Sequence, residues 1–207
     1  PLQGEPGFLE ARRVWSDTWQ VTSEELPDPK YKTIRYHFTT PKGSLSMVLQ
    51  TDEYSSWVVE YLIKDKRDID LIGEFVTAPK CDVDVVNLVA EEYGERGLVR
   101  SHICCFDVFG QPGTWQDACC LFPLQQLILM TFDDPEWVHT LLKILQARKR
   151  IYIASMAGAR YDILELGGGT AHRIDQLDRY RSLPSDAVIA GIGIDAGLRS
   201  KQVCKIS

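Results

Sequence analysis

The chain has 207 residues, a formal net charge of −6, 44% hydrophobic residues and 25% charged residues. These are ordinary globular values, and the length is enough to bury a core without metals or disulfides. The acidic balance repels phosphate backbones and argues against nucleic acid as a partner, and no apolar run is long enough to span a bilayer.

No basic-then-apolar leader opens the chain, and Pro1 suggests a trimmed start. Residues 1–30 hold four prolines and read as an extended arm with a helical turn near Phe8–Val14. Tyr31–Thr40 is rich in β-branched and aromatic residues and predicts a strand. Pro41-Lys42-Gly43 is turn chemistry, and Ser44–Gln50 predicts the return strand of a β-hairpin. Ser56–Ile63 is a third extended run. Asp65 can cap a helix carrying Ile69, Ile72 and Phe75, which Pro79 ends. Asp82 can cap a second helix with Val85, Val86, Val89 and Tyr93 on one face and Gly94 or Gly97 at its end.

Leu98–Phe106 is an apolar run of strand length, of the kind buried on both faces of a parallel sheet. Phe109–Gly113 is a loop, and Thr114 can cap a helix towards Cys120. Leu124–Phe132 predicts a further helix. Asp133-Asp134-Pro135-Glu136 is a strong helix start for a helix carrying Val138, Leu141, Leu142 and Leu145, and Arg148-Lys149-Arg150 on it reads as a solvated face. Tyr161–Leu166 predicts a short buried strand, broken by Gly167-Gly168-Gly169. Ile174, Leu177 and Tyr180 suggest another helix, and Val188–Ile194 another strand. Strands alternating with helices from residue 98 onward imply parallel pairing with right-handed crossovers.

Three stretches carry a family resemblance. Val108-Phe109-Gly110-Gln111-Pro112-Gly113-Thr114-Trp115 is similar to a strand-end segment of the form F-x-G-P-x-T. Asp134-Pro135-Glu136-Trp137-Val138-His139-Thr140-Leu141-Leu142 looks like a D-P-E-x-x-H-x-L-L helix start. Ala159-Arg160-Tyr161-Asp162-Ile163-Leu164-Glu165-Leu166-Gly167-Gly168-Gly169 resembles a strand reading A-G-x-D-x-x-E-x-G-G-G. Together they resemble the uroporphyrinogen decarboxylase superfamily. Thr40–Ile63, with Trp57-Val58-Val59-Glu60-Tyr61, looks like the hairpin of its branch related to corrinoid methyltransferases. Coverage is roughly residues 33–170.

The resemblance implies an α/β fold of the (β/α)8 TIM-barrel type. It would carry an N-terminal arm and β-hairpin over residues 1–63 and a barrel portion over residues 64–207. Such a barrel typically needs about 250 residues, so an incomplete one is expected. An incomplete barrel leaves an open sheet edge, which a homodimer would cover. The tail from Ala171 fits poorly to what should follow Gly169. That implies a portion missing between about Thr170 and Ala187, or an unrelated tail.

Barrel sites lie at the carboxyl ends of the strands, which on this resemblance puts Asp107–Thr114 and Glu165–Thr170 at the rim. Asp107 reads there as a catalytic acid or a loop cap, and Glu165 as an inward carboxylate or half of a buried salt bridge. Gln111, Trp115 and Gly167, Gly168 and Gly169 are the candidates for substrate binding; Trp115 reads equally as core packing. The glycines lack the spacing of a dinucleotide fingerprint. His102 and Cys104, two apart on a strand, share a face and with His172 make a candidate metal set. Zinc asks for three or four such ligands, and the alternative is core packing for His102 and Cys104 and a polar loop position for His172. His139, one turn into a helix, reads as structural, and His37, in the hairpin, as exposed. The adjacent pairs Cys104-Cys105 and Cys119-Cys120 bridge only with strain, which favours thiols in a reducing, cytoplasmic compartment.

The implied activity is methyl transfer between a corrinoid (free, or on a corrinoid protein) and a thiol or small methylated substrate, with zinc activating the thiol. The branch carries its His-x-Cys zinc segment in the second half, and none follows Gly169 here. One alternative is decarboxylation of a tetrapyrrole acid; the family's R-Q-A-G-R segment is absent and Arg12-Arg13 does not replace it. The other is an inactive or truncated barrel serving as a binding module.

Overall fold

The computed structural model describes residues 12–13, 16–103, 106 and 108–165. After a two-residue strand β1 (Arg12–Arg13), four strands form an antiparallel meander in the order β2-β3-β4-β5. They are β2 (Gln20–Leu26), β3 (Lys32–Thr40), β4 (Gly43–Thr51) and β5 (Ser56–Glu60). The β3–β4 hairpin has the expected register, with Thr40 opposite Gly43 and Phe38 opposite Leu45. The Thr40 hydroxyl donates to the Gly43 carbonyl at 2.7 Å and accepts from the Gly43 amide at 3.1 Å, so the turn closes on its own side chain. A Cβ at Gly43 would meet Leu71 at 3.3 Å, so this end of the hairpin sits directly against the helical layer.

Alternation along β4 sends Leu45, Met47 and Leu49 to one face, where all three are buried together with Phe38. Helices cover that face. They are α1 (Asp68–Phe75), α3 (Thr114–Leu121), α4 (Leu124–Asp133) and α5 (Pro135–Ser155), while α2 (Val83–Tyr93) buries Val86 in a separate cluster with Ala159. One cluster joins Phe38 and Met47 of the sheet to Ile72, Leu121, Leu127, Leu141 and Leu145 of the helices. Helix α5 is its spine. Asp134 caps it by accepting from the Trp137 amide at 3.2 Å, and Pro135 occupies its first turn.

Two short ladders remain. Strand β6 (Lys80–Cys81) pairs antiparallel with β1, so Arg12–Arg13 is extended rather than part of a helical turn. Strands β7 (Arg100–His102) and β8 (Ile163–Glu165) pair in parallel.

The expectation of a (β/α)8 barrel, whole or partial, is therefore overturned. The described residues form a four-stranded antiparallel sheet, a helical layer and one parallel pair. The hairpin is not an extension but the centre of the largest sheet. The misleading segment is Leu98–Phe106. Its apolar residues satisfy a strand and a buried linker equally. Among its described residues Arg100–His102 enter a ladder, while Ile103 and Phe106 bury their side chains in two different clusters.

Two helix starts also shift. Helix α1 begins at Asp68, whose carboxylate accepts from the amides of Lys64 and Asp65, and not at Asp65. Thr114 is the first residue of α3 rather than its cap; the Gln116 side chain accepts from the Gly113 amide at 3.1 Å. The helix and strand predicted beyond Gly169 lie outside the described residues. Within them, no helix is long and apolar enough to cross a membrane.

Phe38 is fully buried where sheet meets helices. Phe38→Ala is expected to cost about 3–5 kcal/mol, read as a lower midpoint in urea unfolding. Asp134→Ala, which removes the cap and an ion pair with Lys66, is expected to lower the midpoint much less in the same assay.

Candidate functional site

The parallel pair sets the geometry. Arg100 lies beside Ile163, Ser101 beside Leu164 and His102 beside Glu165, so both strands end at the same level. Their start is pinned by Asp162: its carboxylate accepts from the Val99 amide at 2.9 Å, and its own amide donates to the Val99 carbonyl at 2.8 Å. In open α/β sheets, ligands bind outside the carboxyl ends of parallel strands. Here that end is where the chain leaves β7 towards the loop Val108–Gly113 and leaves β8 towards Gly167.

Behind the loop lies a buried ion pair. Asp117 of α3 and Lys149 of α5 meet at 2.6 Å, with side chains 0% and 1% exposed. The Lys149 ammonium also donates to the Ile103 carbonyl at 2.9 Å and the Gln111 carbonyl at 2.8 Å. Its three donors therefore have three oxygens. The second oxygen of Asp117 accepts from the Gln111 amide at 2.6 Å. Burial pushes the Asp117 carboxyl up from the usual aspartate range, while the Lys149 ammonium pulls it down. Beside them Arg148, 4% exposed, donates to the Thr77 carbonyl, and its guanidinium lies 5.3 Å from the centre of the Phe106 ring. That is cation–π distance.

This arrangement positions backbone; it does not present a reactive group. A lysine with every donor engaged is not a nucleophile, and the carboxylate is committed to an ammonium and an amide. The stretch Arg148-Lys149-Arg150 was expected on a solvated face, and for its first two residues that is corrected. They fall on the stripe of α5 that also buries Leu141, Leu145 and Tyr152. Asp117 likewise falls between Thr114 and Leu121 on the buried stripe of α3. The periodic spacing of those apolar neighbours was the available signal.

Of the predicted site residues, Gln111 is half-buried in the loop and gripped through its backbone. Trp115 is 8% exposed and part of the main core. His102 and Glu165 are neighbours at the ends of β7 and β8. Strand β7 ends at His102. Asp107, Cys104, Gly167, Gly168, Gly169 and His172 lie outside the described residues. Among the described residues no three His, Cys, Asp or Glu side chains gather to hold a metal ion. His37 faces Glu24 at 3.3 Å on the exposed side of the sheet.

No protein-family model, curated protein or solved structure matches the chain.

Removing one partner of a buried pair strands the other charge. Lys149→Met is therefore expected to lose about 3–5 kcal/mol of stability in denaturant unfolding. Burial raises the Cys119 thiol from its ordinary value of 9.0 to about 12. It is thus protonated at neutral pH, and alkylation of the partly exposed Cys119 by iodoacetamide at pH 8 is expected to be far slower than that of an ordinary thiol. The sign for stability follows. Between about pH 9 and 12 the unfolded chain releases this proton and the folded one keeps it, so the Cys119 contribution to stability falls as pH rises. Melts of the wild type and Cys119→Ala across that window check it.

Proposed function

We propose that the chain is an enzyme that moves a methyl group between a corrinoid substrate and a thiol or small methylated compound. The reaction would take place at the carboxyl ends of β7 and β8. The observation that carries this reading is the parallel register of those strands. It sets the end of β7, which precedes Val108–Trp115 in the chain, beside the end of β8, which belongs to the resembling stretch Ala159–Gly169.

In this reading the loop Val108–Gly113 lines the ligand and Gln111 meets it. The side chain of Gln111 is available for this because the grip of Asp117 and Lys149 engages only its backbone. The described residues do not supply a zinc site, so no step is assigned to zinc. Transfer to a thiol forms a sulfur–carbon bond and breaks the cobalt–carbon bond. The electron pair stays on cobalt and the thiol proton goes to solvent.

A second reading, a non-catalytic binding module, is favoured by one observation. The buried ion pair is wholly engaged with itself and with backbone groups.

The test is the demethylation of free methylcobalamin by a small thiol, followed by the visible absorbance of the corrinoid, with elemental analysis of the same sample. Acceleration over the thiol alone that falls at least tenfold in Gln111→Ala is the expected result. No acceleration, with methylcobalamin retained by the protein in equilibrium dialysis, selects the binding module. Neither acceleration nor retention overturns both readings.

A further inference from the structure

We propose that Asp117 and Lys149 form a positioning latch for the loop that follows β7. They would set its path through the backbone of Gln111 while touching no ligand themselves. The chain leaves β7 at Ile103, whose carbonyl lies 2.9 Å from the Lys149 ammonium, and at Gln111 it is back at the same ammonium, 2.8 Å away. One cation thus ties both ends of the excursion. Asp117 closes the latch on the other side of the Gln111 peptide, through the amide at 2.6 Å.

The two charges stand on different helices, α3 and α5, so the loop is referenced to both. Gln116 adds a fourth tie at the end of the loop, through the Gly113 amide at 3.1 Å. A core needs no charge for cohesion, since an apolar pair of similar volume is often as stable. What an apolar pair cannot do is accept from one amide while donating to two carbonyls. The effect of the latch on a ligand rests on the proposed site at the ends of β7 and β8; the latch itself does not.

The experiment is hydrogen exchange read by mass spectrometry on the full chain, with the Leu141 amide in the core of α5 as an internal reference for global unfolding. In the wild type, Gln111 exchanges slowly. In Asp117→Leu/Lys149→Met, which leaves no stranded charge, melting within a few degrees of the wild type is expected. Exchange at Gln111 becomes at least tenfold faster relative to Leu141. Unchanged exchange at Gln111 in this variant overturns the proposal.

If the double variant does not fold, Asp117→Asn against Asp117→Ala carries the test. Asparagine keeps the oxygen that accepts from Gln111 and alanine does not. Gln111, relative to Leu141, is therefore expected to exchange faster in the alanine variant only; equal ratios in the two overturn the latch. Because exchange is measured without corrinoid, a latch that passes while methylcobalamin neither binds nor reacts discards the proposed function and leaves the latch standing.

Discussion

Withdrawing an ammonium from water costs several kcal/mol even after a protein relaxes around it. Lys149 is withdrawn completely, and three oxygens from three different stretches of chain replace its hydration: Asp117 on α3, Ile103 after β7 and Gln111 in the loop. That requirement constrains everything around it. Helix α3 must present Asp117 towards α5. The chain must turn after Ile103 to bring a second carbonyl back, and the amide of Gln111 must face the carboxylate. A misplaced partner would leave a buried charge unmet, so the local path of the chain is tightly specified.

The largest core cluster is apolar and less demanding about direction. Phe38, Leu45, Met47 and Leu49 form one face of the antiparallel sheet, and Ile72, Leu121, Leu141 and Leu145 meet it from the helices. Helix α5 serves both regions. Its first half contributes Trp137, Val138, Leu141 and Leu145 to the sheet-facing cluster, and Tyr152, Ile153 and Met156 near its end pack with Ile103. Lys149 stands between the two clusters on the same stripe. The ion pair therefore sits at the joint between the large antiparallel core and the small parallel pair.

The function proposed for this chain depends on that joint. Parallel strands β7 and β8 are only three residues long each, and a ladder of that size does little by itself to orient the segments that leave it. The chain leaving β7 is instead oriented by α3 and α5. At that end of the pair the register makes His102 and Glu165 neighbours. Its geometry is inherited from residues that sequence reasoning assigned to solvent or did not single out.

Much of the local structure was already determined by the sequence alone. The β3–β4 hairpin followed from β-branched strands around Pro41-Lys42-Gly43, the cap of α2 from Asp82, and the start of α5 from Asp134 and Pro135, because each depends on neighbours a few residues away. The parallel sense of β7 and β8 was legible from the alternation of strands and helices. The antiparallel sheet as the principal layer, the departure of Ile103 and Phe106 from the ladder of β7, and the burial of Asp117, Arg148 and Lys149 were decided only by tertiary structure. An apolar run does not say whether a sheet or a set of helices will cover it. A lysine does not say whether water or three protein oxygens will surround its ammonium. Both answers depend on what distant parts of the chain bring to the same place.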